Sequence, residues 1–425
     1  MSKLRVAIVG LGNRGKDTYA KCVEKFSDKM EIVAIADIDN SKVEEVKNLY
    51  AIPSDMCFKS AEELLERERL ADCIFLCTQD KQHVRQAVVA LKKGYHLLLE
   101  KPISPDLEEC REIVEVARQE KREVVVCHVL RYTPFYRKIK SLLDSGIIGK
   151  IMSIQAIENV GYFHQAHSFV RGNWCNSDVT SPMVLQKCCH DMDIFLWLCG
   201  KKPLYVSSFG SLSYFKKENA PQGATGRCMD GCKAKDTCPY DAEKIYLTNK
   251  GTGIIAGQYG WPNNVLALHP SVESITEAIQ AGPYGRCVFD CDNNVVDHQV
   301  INIELEDDIT VNFTMCGFTK DCSRQIRVMG TLGEIFGDMH ANTITVTSFG
   351  QESKVIDVSK LASDFSGHGG GDVEMVKEFM ELLTLGKRHE GITSLDVSVE
   401  SHFVALAAEA SRLQHGKCMK IDDLR

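Results

Sequence analysis

The sequence has no apolar run long enough to span a membrane, no internal repeat of fixed period and no low-complexity tract. It also lacks an excess of positive charge, because 50 Lys and Arg residues stand against 58 Asp and Glu residues, giving a formal net charge of −8. These absences argue against a membrane partner, a repeat architecture and a nucleic-acid partner. Hydrophobic residues at 44% and charged residues at 25% are typical of a soluble globular protein.

A targeting segment is also lacking at the start of the chain. Met1-Ser-Lys-Leu-Arg5 leads directly into a predicted strand and leaves no room for a signal peptide, so we expect a cytoplasmic protein. In a reducing compartment the eighteen cysteines are expected to be small core residues, metal ligands or reactive thiols rather than disulfides. A chain of 425 residues is long for one core, which predicts two domains.

A glycine-rich turn near the start carries the first functional signal. The apolar run that ends at Val9 is followed by Gly10-x-Gly12-x-x-Gly15 and a helix-compatible segment. Gly10 permits a tight turn, Gly12 lets backbone amides approach a pyrophosphate, and Gly15 allows a helix to pack closely on the sheet. The phosphates would lie at a helix N-terminus, where free N–H groups favour negative charge. A βα turn without a ligand is the alternative interpretation.

The second predicted strand, 31–37, ends in an acid that supports the dinucleotide interpretation. The carboxylate of Asp37 can bind both hydroxyls of an adenosine ribose and would repel a 2′-phosphate. The sequence therefore predicts NAD, with NADP less favoured.

Residues 1–127 are predicted to form an NAD-binding Rossmann domain, a doubly wound parallel sheet. Ligands of such sheets bind beyond the carboxyl ends of the strands, which places Lys101 at the dinucleotide edge. Pro102 fixes the turn that aims this lysine, and burial or a neighbouring cation can lower its pKa enough for proton transfer. A lysine on a surface loop is the alternative. The predicted strands are 4–9, 31–37, 73–78, 96–100 and 123–130, and the predicted helices are 14–26, 41–50, 60–68, 81–93 and 106–119.

Several motifs together resemble the Gfo/Idh/MocA oxidoreductase family: the glycine turn with Asp37, Thr78 with His83, Glu100-Lys101-Pro102 and Arg131-Tyr-Thr-Pro134. The resemblance implies a Rossmann domain followed by an α/β domain with a large, open, mostly antiparallel sheet. It also implies NAD(P) chemistry on sugars or cyclitols, with Lys101 in the active site, and self-association. The chain departs from the family at Gln79, where many members have proline. The cofactor-binding residues expected on this basis are Gly10, Gly12, Asn13, Arg14, Gly15, Asp37, Thr78, Gln79, His83, Glu100 and Arg131.

Residues 128–425 are expected to form the substrate-binding and oligomerisation domain, with a cysteine-containing insertion at about 215–297. Its predicted strands are 151–160, 204–214, 298–305, 309–316, 324–330 and 342–347.

The segment from Pro182 to Leu198 predicts a buried helix that carries catalytic groups. Lys187, His190 and Asp191 share one face at i, i+3 and i+4, and burying them together is costly unless they line a polar cavity. His190 is the candidate general base, and a structural histidine paired with Asp191 is the alternative. The family commonly has a histidine here acting with the EKP lysine, but an aspartate four residues earlier is replaced by Gln186. Lys187 is predicted to bind a substrate hydroxyl or to lower the pKa of the acid–base group.

Substrate contacts are expected from several further residues. Trp174 offers an indole that can stack on a pyranose, and Arg171 a planar cation for hydroxyls or a carboxylate. A turn with one packed tryptophan is the alternative. His368 lies in a glycine-rich loop that can fold over a substrate, or that merely leads into a helix. The predicted substrate residues are Arg171, Trp174, Asp191 and His368.

Cysteines cluster after position 227 in a pattern that does not indicate core packing. Three thiols within eleven residues, joined by a later pair and His298, can supply a tetrahedral zinc site. We expect a structural metal, most simply zinc, and an iron–sulfur cluster or free thiols are the alternatives. The predicted ligands are Cys228, Cys232, Cys238 and Cys291.

The sequence thus predicts an NAD-dependent dehydrogenase that transfers a hydride from a secondary hydroxyl of a sugar, glycoside or cyclitol. One alternative is a glycoside-cleaving enzyme that oxidises the sugar transiently and eliminates the aglycone. The other is a dinucleotide sensor without catalysis.

Overall fold

The computed structural model describes residues 2–425, except for the side-chain environment of residues 366 and 367. All strands of its first sheet are parallel. Its strand order is β3-β2-β1-β4-β5-β6, with helices on both faces, so the central strands are buried and almost wholly apolar. The strands are β1 (Leu4–Val9), β2 (Met30–Ala36), β3 (Cys57–Phe58), β4 (Cys73–Leu76), β5 (His96–Leu99) and β6 (Val124–Val126).

Several of the helices around this sheet begin at side-chain caps. Asp39 accepts from the amide of Ser41 at the start of α2, and Asp106 accepts from two amides at the start of α5. The helices are α1 (Lys21–Lys25), α2 (Asn40–Tyr50), α3 (Ala61–Glu66), α4 (His83–Lys92) and α5 (Leu107–Glu120), and α6 (Pro134–Asp144) leads towards the second sheet.

The second sheet has the strand order β14-β13-β12-β11-β7-β10-β9-β8-β15, and every pairing is antiparallel except that of β7 with β10. One face is buried and the other exposed, as the strict alternation along β9 shows. The strands are β7 (Ile151–Asn159), β8 (Pro203–Ser211), β9 (His298–Leu305), β10 (Thr310–Cys316), β11 (Ser323–Gly330), β12 (Gly333–Asp338), β13 (Thr343–Ser348), β14 (Lys354–Asp357) and β15 (Met419–Lys420). The predicted fold class is confirmed.

Helices from the second half of the chain connect the two sheets. Helix α8 (Met183–Cys199) packs between the second sheet and α13 (Leu395–Leu413). Helix α12 (Gly371–Leu385) contributes Met375 and Phe379 to the core of the first sheet, next to Phe75. The boundary at 127/128 stays a prediction. The shorter helices are α7 (Tyr162–His164), α9 (Asn263–Leu266), α10 (Val272–Ala281) and α11 (Ser366–Gly369).

The segment between β8 and β9 has a small core of its own. Tyr246, Ile275 and Phe289 are buried there, together with Ala166 and Val170 from the π-helical turns at Gln165–Arg171. Much of the insertion therefore packs on the segment that follows β7.

Local structure differs from the prediction at several places. The residues after the glycine turn form π-helical turns at Asn13–Ala20 before α1, where a single regular helix was expected. The short edge strands β3, β14 and β15, and β12 within the sheet, were not predicted. Among residues 2–425, no helix has both the length and the apolar character needed to cross a membrane.

Candidate active site

Four predicted functional positions meet at the carboxyl edge of the first sheet. Gly10, Asp37, Thr78 and Lys101 follow the ends of β1, β2, β4 and β5 by one or two residues. Because the carboxyl ends of parallel strands share one edge, these residues surround the crevice in which such sheets bind ligands.

The glycine turn has the geometry that a diphosphate requires. Gly10 has φ +89°, and a Cβ there would lie 2.5 Å from the carbonyl oxygen of Cys77. A Cβ on Gly15 would lie 1.9 Å from the carbonyl oxygen of Gly10, whereas one on Gly12 would meet no atom within 4 Å. Packing therefore requires the first and third glycines, and the second leaves an open cradle beside backbone amides. Asp37 closes the turn, since its Oδ2 accepts from the amide of Leu11 at 2.5 Å.

A pair of alanine substitutions separates packing from ligand binding at this turn. Gly15→Ala is expected to lower the free energy of unfolding by about 1–3 kcal/mol, because the new Cβ overlaps a carbonyl. Gly12→Ala is expected to leave stability unchanged and to weaken NAD binding about tenfold, since the methyl group enters the open cradle. Thermal unfolding and calorimetric titration with NAD measure both effects, and equal effects of the two variants on stability would contradict this geometry.

The remaining predicted cofactor residues fall into two groups. Asn13 and Gln79 are exposed beside the cradle, and Thr78 is half-buried with its hydroxyl bonded to the side chain of Gln86 at 2.7 Å. The side chain of Arg14 is 24% exposed and binds Glu100 and Asp372, each at 2.6 Å.

Three residues expected to contact the cofactor are instead buried within the protein. His83 lies between the carbonyl oxygens of Pro102 at 2.8 Å and Thr78 at 2.9 Å, which ties the ends of two strands together. Glu100 accepts from Tyr19 and from the backbone of Lys101. The polar atoms of these two residues have partners within the protein, and their direct contact with the cofactor stays a prediction. Arg131, the third, forms a buried ion pair with Asp193 at 2.5 and 2.6 Å.

Lys101 lies against helix α8. Its Nζ donates to the carbonyl oxygen of Gln186 at 2.7 Å and to the side-chain oxygen of the same residue at 2.8 Å. Burial lowers the pKa of Lys101, and the neighbouring charge of Lys187 adds to that effect. Gln186, at the position where the family commonly has aspartate, therefore holds the ammonium in place without adding a charge.

His190 lies one helical turn beyond Gln186 on the same face of α8. Its imidazole is 6% exposed, and its buried Nδ1 has no hydrogen-bond partner within the part of the chain that the structure describes. Burial lowers its pKa well below the ordinary range, and the charge of Lys101 adds to this. The ring packs edge-on against His128 at 5.7 Å and lies 6.2 Å from the ring of His368, measured between centroids. This neutral imidazole can accept a proton.

A chain of ion pairs forms a second polar wall beside these groups. Lys187 binds Glu158 at 3.1 Å, Arg324 binds Glu158 at 2.8 Å, and Arg324 also chelates Asp191 at 2.8 and 3.1 Å. Burial opposes the charge of Arg324, but the carboxylates of Asp191 and Glu158 outweigh it and hold its pKa well above the ordinary value. Sequence reasoning missed Glu158 and Arg324, because strands β7 and β11 become neighbours only in the folded sheet.

The predicted substrate residues Arg171 and Trp174 are not part of this constellation. Arg171 is 1% exposed and donates to the carbonyl oxygens of Tyr240 and Arg286, both at 2.7 Å, within the insertion. Trp174 packs on the main core beside Phe169. Both side chains take part in packing, and a contact of either with the substrate stays a prediction.

Another tryptophan lies nearer to the catalytic groups. Trp261, which is 38% exposed, contacts the ring of His164 edge-on with the centroids 4.7 Å apart. Burial lowers the pKa of His164 well below the ordinary range, and the charges of Lys187 and Lys101 lower it further. The sequence carried no signal for Trp261, which lies far along the insertion.

His368 is held at the edge of the crevice. Its Nδ1 lies 3.0 Å from the carboxylate of Asp372, which also binds Arg14. The loop before α12 thereby contacts the glycine turn and the ring of His190.

The predicted zinc ligands do not form a zinc site. Among the described residues, no group of three or more His, Cys, Asp or Glu side chains is arranged to hold one metal ion. Cys228, Cys232 and Cys238 line one cavity, but its fourth cysteine is Cys287, and the thiol of Cys291 donates instead to the carbonyl oxygen of Cys287. Spacing alone does not distinguish Cys287 from Cys291, and the structure places Cys287 at this cavity.

Comparison with known families agrees with this arrangement. The model described as "Oxidoreductase family, NAD-binding Rossmann fold" matches residues 4–128, and the family's C-terminal alpha/beta domain matches residues 140–398. The chain belongs to the Gfo/Idh/MocA oxidoreductase family. The predicted family is confirmed.

Individual members of the Gfo/Idh/MocA family are distant relatives of this chain. YteT of Bacillus subtilis (strain 168) is 22% identical over 399 residues, which are 90% of this chain and 89% of that protein. An inositol 2-dehydrogenase of Corynebacterium glutamicum (strain R) is 27% identical over 208 residues, 48% of this chain and 57% of that enzyme. The fold is similar to that of an Agrobacterium radiobacter oxidoreductase solved with NAD⁺, L-tartaric acid and magnesium (TM-score 0.70, 13% identity, 100% of both chains).

Proposed function

We propose that the protein is an NAD-dependent oxidoreductase that removes a hydride from a secondary hydroxyl of a sugar, glycoside or cyclitol. One observation carries the proposal. The Lys101 ammonium binds Gln186 on α8, and one turn further along the same face lies His190, whose Nδ1 has no hydrogen-bond partner among the described residues. Both lie at the sheet edge that the glycine turn opens to a dinucleotide. The inositol 2-dehydrogenase relative supports a polyhydroxylated substrate.

The residues of the first sheet fit NAD. The open cradle at Gly12 admits a diphosphate, and the carboxylate of Asp37 favours an unphosphorylated adenosine ribose over a 2′-phosphate. Asn13, Thr78 and Gln79 border the same cradle. Bound NAD supplies the hydride acceptor, and the protein supplies orientation and electrostatics.

The proton chemistry belongs to α8 and the EKP turn. Lys101 donates a hydrogen bond to the reacting hydroxyl, and its positive charge favours the alkoxide character that develops there. His190 accepts the hydroxyl proton, since burial and neighbouring charge keep its imidazole neutral. Gln186 positions Lys101, and His368 closes the site from the side of the glycine turn.

The substrate class follows from the second polar wall of the site. Lys187 and Arg324 keep 18% and 12% of their side chains exposed and can donate to several hydroxyls of one molecule, while the buried carboxylates of Glu158 and Asp191 hold them in place. Trp261 adds an apolar surface for the ring carbons.

We also propose that the protein is a cytoplasmic homo-oligomer. The outer face of the second sheet exposes Tyr205, Phe209 and Val300, with exposed fractions of 40%, 55% and 37%. Such a patch on adjoining strands favours a second copy of the chain as its partner. Eighteen free thiols fit a reducing compartment.

A panel of inositols, monosaccharides and glycosides with NAD or NADP tests the proposed function. We expect NADH formation with at least one polyol or sugar, and weaker or no turnover with NADP. Absorbance of reduced nicotinamide and product mass are recorded together, with His190→Asn as the negative control. Release of an aglycone without net formation of NADH would indicate a glycoside-cleaving enzyme instead of a dehydrogenase. Binding of NAD without turnover of any compound would indicate a dinucleotide sensor.

A further inference from the structure

Four cysteines of the insertion enclose a cavity that the proposed reaction does not use. Cys228 and Cys287, each 8% exposed, line it together with the half-buried Cys232 and Cys238. The rest of the lining is largely apolar and includes Val288 and Phe289. Four thiols converging on one enclosed volume are uncommon in a core in which small hydrophobic residues would pack without a gap.

The backbone brings the first and last of these cysteines together. Gly226-Arg-Cys228 pairs antiparallel with Gly285-Arg-Cys287: Cys228 N donates to Gly285 O at 3.0 Å and Cys287 N to Gly226 O at 2.9 Å. Gly285 cannot be replaced without disruption, because a Cβ would lie 1.5 Å from the carbonyl oxygen of Ile279. Two similar tripeptides nearly sixty residues apart in sequence thus form one two-stranded support for two thiols.

A buried cation next to the thiols has no carboxylate partner. The guanidinium of Arg171 approaches the sulfur of Cys228 at 3.5 Å and lines the cavity. None of the ion pairs found among residues 2–425 includes Arg171, and its buried Nη1 has no hydrogen-bond acceptor there. Asp241 also lines the cavity, but its carboxylate is not within ion-pair distance of Arg171. A buried guanidinium without a counter-ion is costly, so an anionic group in the cavity would offset its charge.

The arrangement of the four cysteine sulfurs distinguishes a single metal ion from an iron–sulfur cluster. A single ion needs four sulfurs about 2.3 Å from one point, and the described residues are not arranged in that way. An iron–sulfur cluster also takes four cysteine thiolates, but each binds a different iron at a corner of a larger body, so the sulfurs stand farther apart and enclose a volume. A Cys-Pro pair such as Cys238-Pro239 occurs at a ligand of bacterial clusters of this type.

We infer that Cys228, Cys232, Cys238 and Cys287 hold a [4Fe–4S] cluster, with Arg171 as its buried counter-charge. The cluster links the insertion to the segment after β7, because all four cysteines lie in the insertion and Arg171 ends that segment. Its role is structural: it fixes the insertion that places Trp261 against His164. The inference does not depend on the proposed function, since cluster content is measured without substrate.

The test is elemental and spectroscopic analysis of the full chain purified without oxygen, or reconstituted with ferrous iron and sulfide. We expect about four iron and four acid-labile sulfide per chain, with a broad visible absorption that dithionite bleaches. Stoichiometric zinc, two iron per chain, or no iron after reconstitution would overturn the assignment.

Two serine variants four residues apart provide the matched comparison. Cys287→Ser is expected to lose most of the iron and the visible absorption, whereas Cys291→Ser should retain both. NAD binding reports whether the first sheet remains folded in each variant. If Cys287→Ser does not fold, the iron and sulfide content of the wild type and of Cys291→Ser decides. A cluster lost in Cys291→Ser and kept in Cys287→Ser would overturn the ligand set.

Discussion

Replacing His190 by asparagine is expected to lower kcat by about 10²–10⁴-fold, the range that positioned general bases contribute. Asparagine approximates the shape of the imidazole but cannot accept a proton at neutral pH. The side chain is 6% exposed and its Nδ1 has no partner among the described residues, so little packing or hydrogen bonding is lost. Steady-state assays with the best substrate of the panel measure kcat, and calorimetry shows whether the affinity for NAD is kept.

The matched control is His340→Asn. His340 is exposed in the turn between β12 and β13, and its replacement should leave kcat within twofold of wild type, on the order of experimental scatter. A His190→Asn variant with the same kcat as this control would remove His190 from the mechanism.

The pH profile of the wild type gives an independent check on His190. Burial and the charge of Lys101 lower the pKa of His190 well below its ordinary value of 6.5, so the imidazole loses its proton at lower pH than usual. We therefore expect kcat/KM to stay level as pH falls through 6.5 and to decline only in more acidic solution. If kcat/KM instead declined around the ordinary histidine pKa, His190 would have to be more exposed to water than it is in this structure.

The first sheet could be predicted from sequence because local patterns determine it. Apolar runs mark the parallel strands, and Gly10 and Gly15 stand where a Cβ would collide with backbone. Local patterns fail where the partner is distant in sequence. Arg171 was expected at the substrate because a cation near a tryptophan suggests one, yet its partners Tyr240 and Arg286 lie on an insertion whose path no pattern reveals.

The same limit explains the polar walls of the site. The expectation of Lys187, His190 and Asp191 on one helix face needed only helical periodicity. That Glu158 meets Arg324 depends on the pairing of β7 with β11. Register across a sheet is a tertiary property, so residues that complete a site from neighbouring strands are the ones that sequence reasoning misses.

Asp193→Ala is the substitution expected to cost most stability, about 3–5 kcal/mol of the free energy of unfolding, because it leaves the buried guanidinium of Arg131 without its partner. The pair is bidentate, with distances of 2.6 and 2.5 Å and both side chains at most 3% exposed. Nδ1 of His128 lies a further 3.2 Å from the same carboxylate. Urea unfolding followed by circular dichroism measures the loss.

The surface pair Arg388–Glu123 supplies the control. Both side chains are at least 35% exposed, so Glu123→Gln should change the free energy of unfolding by less than about 1 kcal/mol. The double variant Arg131→Met, Asp193→Leu removes both buried charges and should recover much of the stability lost in the single variant. If Asp193→Ala resembled the surface control, the buried pair would not hold α8 against the first sheet.

The stability that Asp193 contributes should also depend on pH in a defined direction. Burial raises the pKa of this carboxyl, but the charge of Arg131, followed by His128, outweighs it and lowers the pKa from 3.8 to about 2. The folded state therefore binds its proton less readily than the unfolded chain, so the contribution is complete above pH 3.8 and is lost as pH falls towards 2. The difference in unfolding free energy between wild type and Asp193→Ala should accordingly be constant from neutral pH to about 5 and shrink below 4. A difference that instead grew with acidification would mean that Asp193 is protonated in the native protein, and Arg131 would then need another counter-charge.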